Sequence, residues 1–120
     1  MPVMYAVKET STNQLNRKEL VSCPVTYTLD KIGGRWKPTI LFYLSNGPMR
    51  YGVLKRSVAA ISEKMLIQSL RELESDNIVA RDVMDAVPPQ ITYSLTTLGK
   101  SLKPVLRAMA EWGQKNSSIK

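Results

Sequence analysis

Apolar positions in residues 62–77 recur at the helical period and divide the segment into two faces. At about 100° per residue, Met65, Leu66, Ser69, Leu70 and Leu73 fall on one side. Lys64, Ile67, Gln68, Arg71 and Ser75 fall on the other. Ser62 is placed to cap this helix, and Glu63 suits the positive end of its dipole. Upstream, residues 51–58 predict a short helix with Leu54 and Val58 inward, and Ala59-Ala60-Ile61 predicts the turn between the two. A helix, a short turn and a longer amphipathic helix form the helix-turn-helix pattern. Downstream, residues 78–86 are rich in β-branched side chains and predict a strand. Val87-Pro88-Pro89 breaks it, and Ile91, Tyr93 and Leu95 alternate with Thr92, Ser94 and Thr96 in a half-buried return strand. The two strands make a hairpin, or wing.

The flanks follow the same logic. Pro24 opens a short helix with Val25, Leu29 and Ile32 on one face, and Gly33-Gly34 ends it. Trp36, Ile40 and Leu44 mark another helix, with Pro38 in its first turn and Asn46-Gly47-Pro48 after it. Thr97 is expected to cap a last helix that bears Leu98, Leu102, Val105, Leu106, Met109 and Trp112, kinks at Pro104 and ends at Gly113. Residues 1–22 are weakly periodic and predict an N-terminal arm with a short helix near Leu15 to Leu20. Residues 114–120 read as a polar tail. The expected fold is mainly α (α+β): a winged helix-turn-helix domain over residues 23–113, with a two-stranded wing and a C-terminal dimerisation helix from residue 97.

Charge sharpens this picture. The chain has 120 residues, enough for one domain, and a net charge of +7. Between Lys31 and Lys64 lie Lys31, Arg35, Lys37, Arg50, Lys55, Arg56 and Lys64 against the single acid Glu63. From Glu72 to Asp85 acids predominate, with Arg81 alone against them. A basic concentration beside an amphipathic helix suits phosphate binding, although a solvated basic surface has the same composition. An outer face that offers a cation, an amide and a guanidinium on successive turns fits the floor of a DNA major groove, and Ile67 suits a thymine methyl. The plain alternative is an ordinary amphipathic surface helix. Glu72, Glu74 and Asp76 would repel phosphate, so the reading half of the helix is expected to be 62–71.

Other chemistries lack their residues. There is no histidine, which removes the commonest general base and metal ligand. One cysteine cannot build a structural zinc site, and Gly33-Gly34 and Gly47 lack phosphate-loop spacing. No enzyme activity, metal or cofactor is expected. No apolar run approaches the ~20 residues of a membrane span, no signal-peptide pattern is visible, and a lone cysteine suits the reducing cytoplasm.

Several separated motifs agree in order and spacing with one family. Cys23-Pro24-Val25, Gly33-Gly34-Arg35-Trp36-Lys37, Gly47-Pro48-Met49-Arg50-Tyr51, Ile61-Ser62-Glu63-Lys64-Met65-Leu66, Leu70-Arg71-Glu72-Leu73-Glu74, Val87-Pro88-Pro89, Tyr93-Ser94-Leu95-Thr96 and Glu111-Trp112-Gly113 resemble the HxlR-type winged helix-turn-helix family. The resemblance spans roughly residues 23–113 and implies a bacterial transcriptional regulator with a MarR-like fold, binding a palindromic double-stranded operator as a homodimer. It places Ser62, Lys64, Met65, Ile67 and Gln68 toward bases, and Arg50, Lys55, Arg56 and Arg71 toward phosphates. Ile67 departs from a frequent threonine, and Gln90 from a frequent basic residue. With Asp82 and Asp85 nearby, wing contact with DNA is left open.

Cys23 has two readings. A lone cysteine is commonly a small buried hydrophobe. If Pro24 is the first helical residue, however, Cys23 is the N-cap, where backbone N–H groups and the dipole favour a reactive thiolate. The resemblance points to redox sensing at this place, with an oxidant or small-molecule effector. The last helix carries more apolar surface than one small domain buries, and the resemblance pairs it with a second copy, helped by the N-terminal arm. A rival class remains: a winged-helix protein–protein module without specific DNA binding.

Overall fold

The computed structural model describes residues 23–118, so the predicted N-terminal arm lies outside the described residues. Contacts divide the chain into two units between Gly34 and Arg35. In the first, helix α1 (Pro24–Ile32) has Pro24 in its first turn and ends at Gly33. Its expected inner face is mostly solvent-facing. Ile32 is buried, but Val25 is 67% and Leu29 58% exposed.

The second unit begins with α2 (Lys37–Leu44), which is apolar almost all round. Such a helix belongs in a core, and Ile40, Leu41 and Leu44 are buried. Gly47 turns the chain at φ 136°, a conformation that favours glycine. Strand β1 (Met49–Arg50) runs directly into α3 (Tyr51–Ser57), whose Leu54 is buried along with Val58 and Ile61 of the following turn. Helix α4 (Glu63–Ser75) follows. It ends where Asn77 adopts φ 60° and the Ile78 N–H reaches back to Leu73 C=O at 2.9 Å. That left-handed stop satisfies carbonyls that the helix leaves open.

Strands β2 (Val79–Met84) and β3 (Gln90–Leu95) form the predicted antiparallel hairpin, with Val79 opposite Leu95 and Met84 opposite Gln90. The short β1 adds a third strand, in the order β1-β3-β2, pairing Met49 with Tyr93. The hairpin therefore supplies the central strand, β3, and one edge strand, β2, of a three-stranded sheet. Two residues are too few to show alternation, so β1 left no periodic signal.

The last segment differs from expectation. Thr96, not Thr97, is the cap: its hydroxyl accepts from the Gly99 N–H at 3.0 Å and donates to Asn77 C=O at 2.7 Å. A four-residue helix α5 (Thr97–Lys100) stops, and a new helix α6 (Lys103–Asn116) starts with Pro104 in its first turn. Pro104 thus begins a helix instead of kinking one, because its missing N–H costs nothing there. Gly113 lies inside α6, which continues to Asn116 and takes in the start of the predicted polar tail. Gly99 packs so closely on the residue before β2 that a Cβ would sit 2.2 Å from the Ile78 carbonyl oxygen.

Candidate nucleic-acid interface

Helix α4 is held from one side only. Leu66, Leu70 and Leu73 are at most 1% exposed, and Ser69 is buried beside them. Met65, which the wheel assigned to this inner side, is exposed, because it sits at the edge of the apolar arc that Leu66, Leu70 and Leu73 centre. At that edge it lies with Lys64, Ile67, Gln68 and Arg71 on the solvent side. The Ser62 hydroxyl accepts from the Met65 N–H at 3.1 Å, which caps the helix and leaves the O–H free to donate outward. Four of the five predicted base-reading residues are thus helical and solvent-facing, and the fifth is the cap.

The predicted phosphate residues are less gathered. Arg71 lies on α4, while Lys55 and Arg56 end α3, where cations complement the helix dipole. Arg50 is the cap of α3 and, by register, shares a sheet face with Thr92 and Asp82. The opposite face carries Arg81, Tyr93 and Ile91 toward α4. With Tyr51, Glu63, Ile67, Arg71 and Glu74 they line a cleft of about 450 Å³ between α4 and the wing. Arg81 beside Arg71 escaped the sequence reading, since the acids around it masked a cation that the register turns toward α4.

Two carboxylates on α4 are engaged. Tyr51 donates its O–H to Glu63 at 3.3 Å, and burial, then the Glu63 charge, raises the phenol above its usual range, so it stays a neutral donor. Glu72 meets the Lys37 ammonium at 2.7 Å and accepts from the Gln68 amide at 3.2 Å. Hydrogen bonds from Lys37, then Gln68, hold the Glu72 carboxyl below its ordinary value. The phosphate repulsion expected of Glu72 is therefore offset within the fold.

Cys23 is the N-cap of α1, as expected, with backbone φ −105° and ψ 122° and a half-buried side chain. Its Sγ makes no capping hydrogen bond. The expected dimerisation residues divide into two sets. Leu106 is 3% exposed in the chain's own core and Leu102 is half-buried. Leu98, Val105, Met109 and Trp112 are exposed, Trp112 at 71%. Exposed Phe42 and Met109 border an open apolar cleft of about 370 Å³ between α2 and α6.

No helix among the described residues is long and apolar enough to cross a membrane, and no cluster of potential metal ligands occurs among them.

Known proteins share this arrangement. Residues 31–120 match the model of the HxlR-like helix-turn-helix family. An HTH-type transcriptional regulator of Bacillus subtilis, YkvN, is 49% identical over 92 residues, covering 77% of this chain and 78% of its own. The regulatory protein MalR of Fusobacterium mortiferum is 46% identical, over 85% of this chain and 97% of its own. Among solved structures, the redox regulator HypR in its oxidized form superposes with a TM-score of 0.77 at 43% identity, over 81% of this chain and all of that one. The reduced form of YodB from B. subtilis superposes at 0.67 with 33% identity, over 80% and 95%. The chain belongs to the HxlR-like helix-turn-helix family and is a transcriptional regulator of the HxlR/MarR type, a family of regulators and not of enzymes.

Proposed function

We propose that the chain is a homodimer that occupies a palindromic double-stranded DNA operator and responds to oxidants through Cys23. The observation that carries this reading is the one-sided burial of α4: its inner leucines are sealed in the core while Lys64, Ile67, Gln68 and Arg71 face solvent. A recognition helix needs a rigid back and a chemically varied front. In this reading Ser62, Lys64, Met65, Ile67 and Gln68 face base edges, and Arg50, Lys55, Arg56 and Arg71 neutralise phosphates. The exposed apolar side chains Leu98, Val105, Met109 and Trp112 support pairing of two copies through α6.

Redox control is supported by the place of Cys23 at a helix N-terminus and by likeness to the redox regulator HypR and to YodB, which has also been solved after diamide treatment. Two Cys23 thiols, one from each copy, would lose two electrons and two protons to an oxidant such as a diazene and join as an intersubunit disulfide. With a small thiol in place of the second copy, the product is a mixed disulfide. Mobility shifts on promoter duplexes, with and without diamide, test both halves. The reading expects a saturable specific complex that diamide alters in wild type and leaves unaltered in Cys23→Ser. A chain that binds every duplex equally contradicts it as a non-specific nucleic-acid binder, and a chain that binds none contradicts it and favours a protein–protein module.

A further inference from the structure

An acid on the outer face of a groove-reading helix is costly near phosphates, so Glu72 needs a reason to be there. Its two oxygens are both engaged: Oε1 by the Lys37 ammonium at 2.7 Å, Oε2 by the Gln68 amide at 3.2 Å. Lys37 comes from the first turn of α2, where its side chain is only 15% exposed, so one end of this chain of contacts is anchored in the body of the unit. A carboxylate accepts hydrogen bonds and cannot donate them. The Gln68 nitrogen must therefore face Glu72, and the amide cannot flip without losing that bond. What this bond leaves available on the amide is the Gln68 carbonyl oxygen and the second N–H. That pair complements adenine in the major groove, whose N6 amino group donates and whose N7 accepts.

Building on the DNA-binding reading above, we propose that Lys37 and Glu72 are positioning residues that fix the Gln68 amide for one adenine of the operator. Lys37 orients the carboxylate and cancels its charge, and Glu72 orients the amide. Neither touches DNA. The arrangement replaces a flexible reader with a preorganised one, so less side-chain freedom is lost when the amide meets adenine.

The test starts from duplexes that the full wild-type chain enriches from a random-sequence library. Replacing the critical adenine, or substituting 7-deazaadenine to remove N7, is expected to weaken wild-type binding about ten-fold or more. Gln68→Ala should lose that preference. Glu72→Ala should lose it too, while its affinity for a scrambled duplex is unchanged or higher, because a negative charge has gone. The Gln68→Ala/Glu72→Ala double variant should lose nothing further at that base pair. Lys37→Met should weaken the adenine preference and Lys37→Arg should retain it, with thermal melts confirming that each variant is folded. An acid that merely repels DNA predicts a different result: Glu72→Ala binds all duplexes more tightly with adenine preference intact, which overturns the inference alone. A wild-type chain that enriches no sequence overturns the DNA-operator reading and this inference with it.

Discussion

Single residues fix the start of the reading helix and the seat of α5. The Ser62 hydroxyl holds the Met65 N–H at the start of α4. Ser62→Ala should therefore cost about 1 kcal/mol in urea unfolding, and Ser62→Gly only a few tenths. Gly99 has no such latitude, since any Cβ would meet the Ile78 carbonyl oxygen at 2.2 Å and Leu95 Cβ at 3.2 Å. Gly99→Ala should destabilise by about 2–3 kcal/mol, more than loss of the cap, because backbone must shift to admit the methyl. Glu72 links stability to pH. Its folded carboxyl titrates below the ordinary value of 4.5, held down first by Lys37 and then by Gln68. Its contribution is thus complete above the unfolded value and fades as pH falls through the folded one. Half exposed as it is, the effect is small. The stability gap between wild type and Glu72→Gln should be present at pH 7 and shrink as the pH falls below the ordinary value of 4.5, and a gap that widens on acidification contradicts the assignment.

Among the elements, those with a long periodic signal were legible in sequence and those defined by distant partners were not. The α4 faces and the β2–β3 hairpin follow directly from spacing, since Leu66, Leu70 and Leu73 are sealed and Tyr93 and Leu95 are buried in alternation. Strand β1 exists because β3 supplies its partner, Met49 against Tyr93, which two residues cannot announce alone. Pro104 gave an ambiguous signal: a proline kinks a continuing helix or opens a new one, and here α5 ends at Lys100 before Pro104 opens α6. The candidate site divides in the same way. The outward residues of α4 were visible from the wheel, whereas the Lys37–Glu72 ion pair joins two helices far apart in sequence and the cleft depends on how the wing folds back toward α4. The exposed face of α6 carries its own prediction. Met109 and Trp112 are 49% and 71% exposed, so Met109→Glu and Trp112→Glu should leave the monomer folded. Each should shift micromolar samples from dimer to monomer in sedimentation, and a wild-type chain that sediments as a monomer rejects α6 as the pairing helix.

At the scale of the whole molecule, the net charge of +7 and the outward face of α4 make one testable package. A dimer making about 6–10 phosphate contacts should lose roughly 10³–10⁵ in affinity between about 50 and 200 mM salt. Two copies of α4 should lie about 34 Å apart, one turn of DNA, and so enter successive major grooves on one side of the duplex. A protein–protein module with the same fold has neither constraint. The most direct measurement is hydroxyl-radical footprinting on a duplex that the reduced wild-type chain has enriched from a random library. The predicted result is two protected half-sites, inverted in sequence and centred about one helical turn apart. Failure to enrich any sequence, or uniform protection without half-sites, would contradict the account.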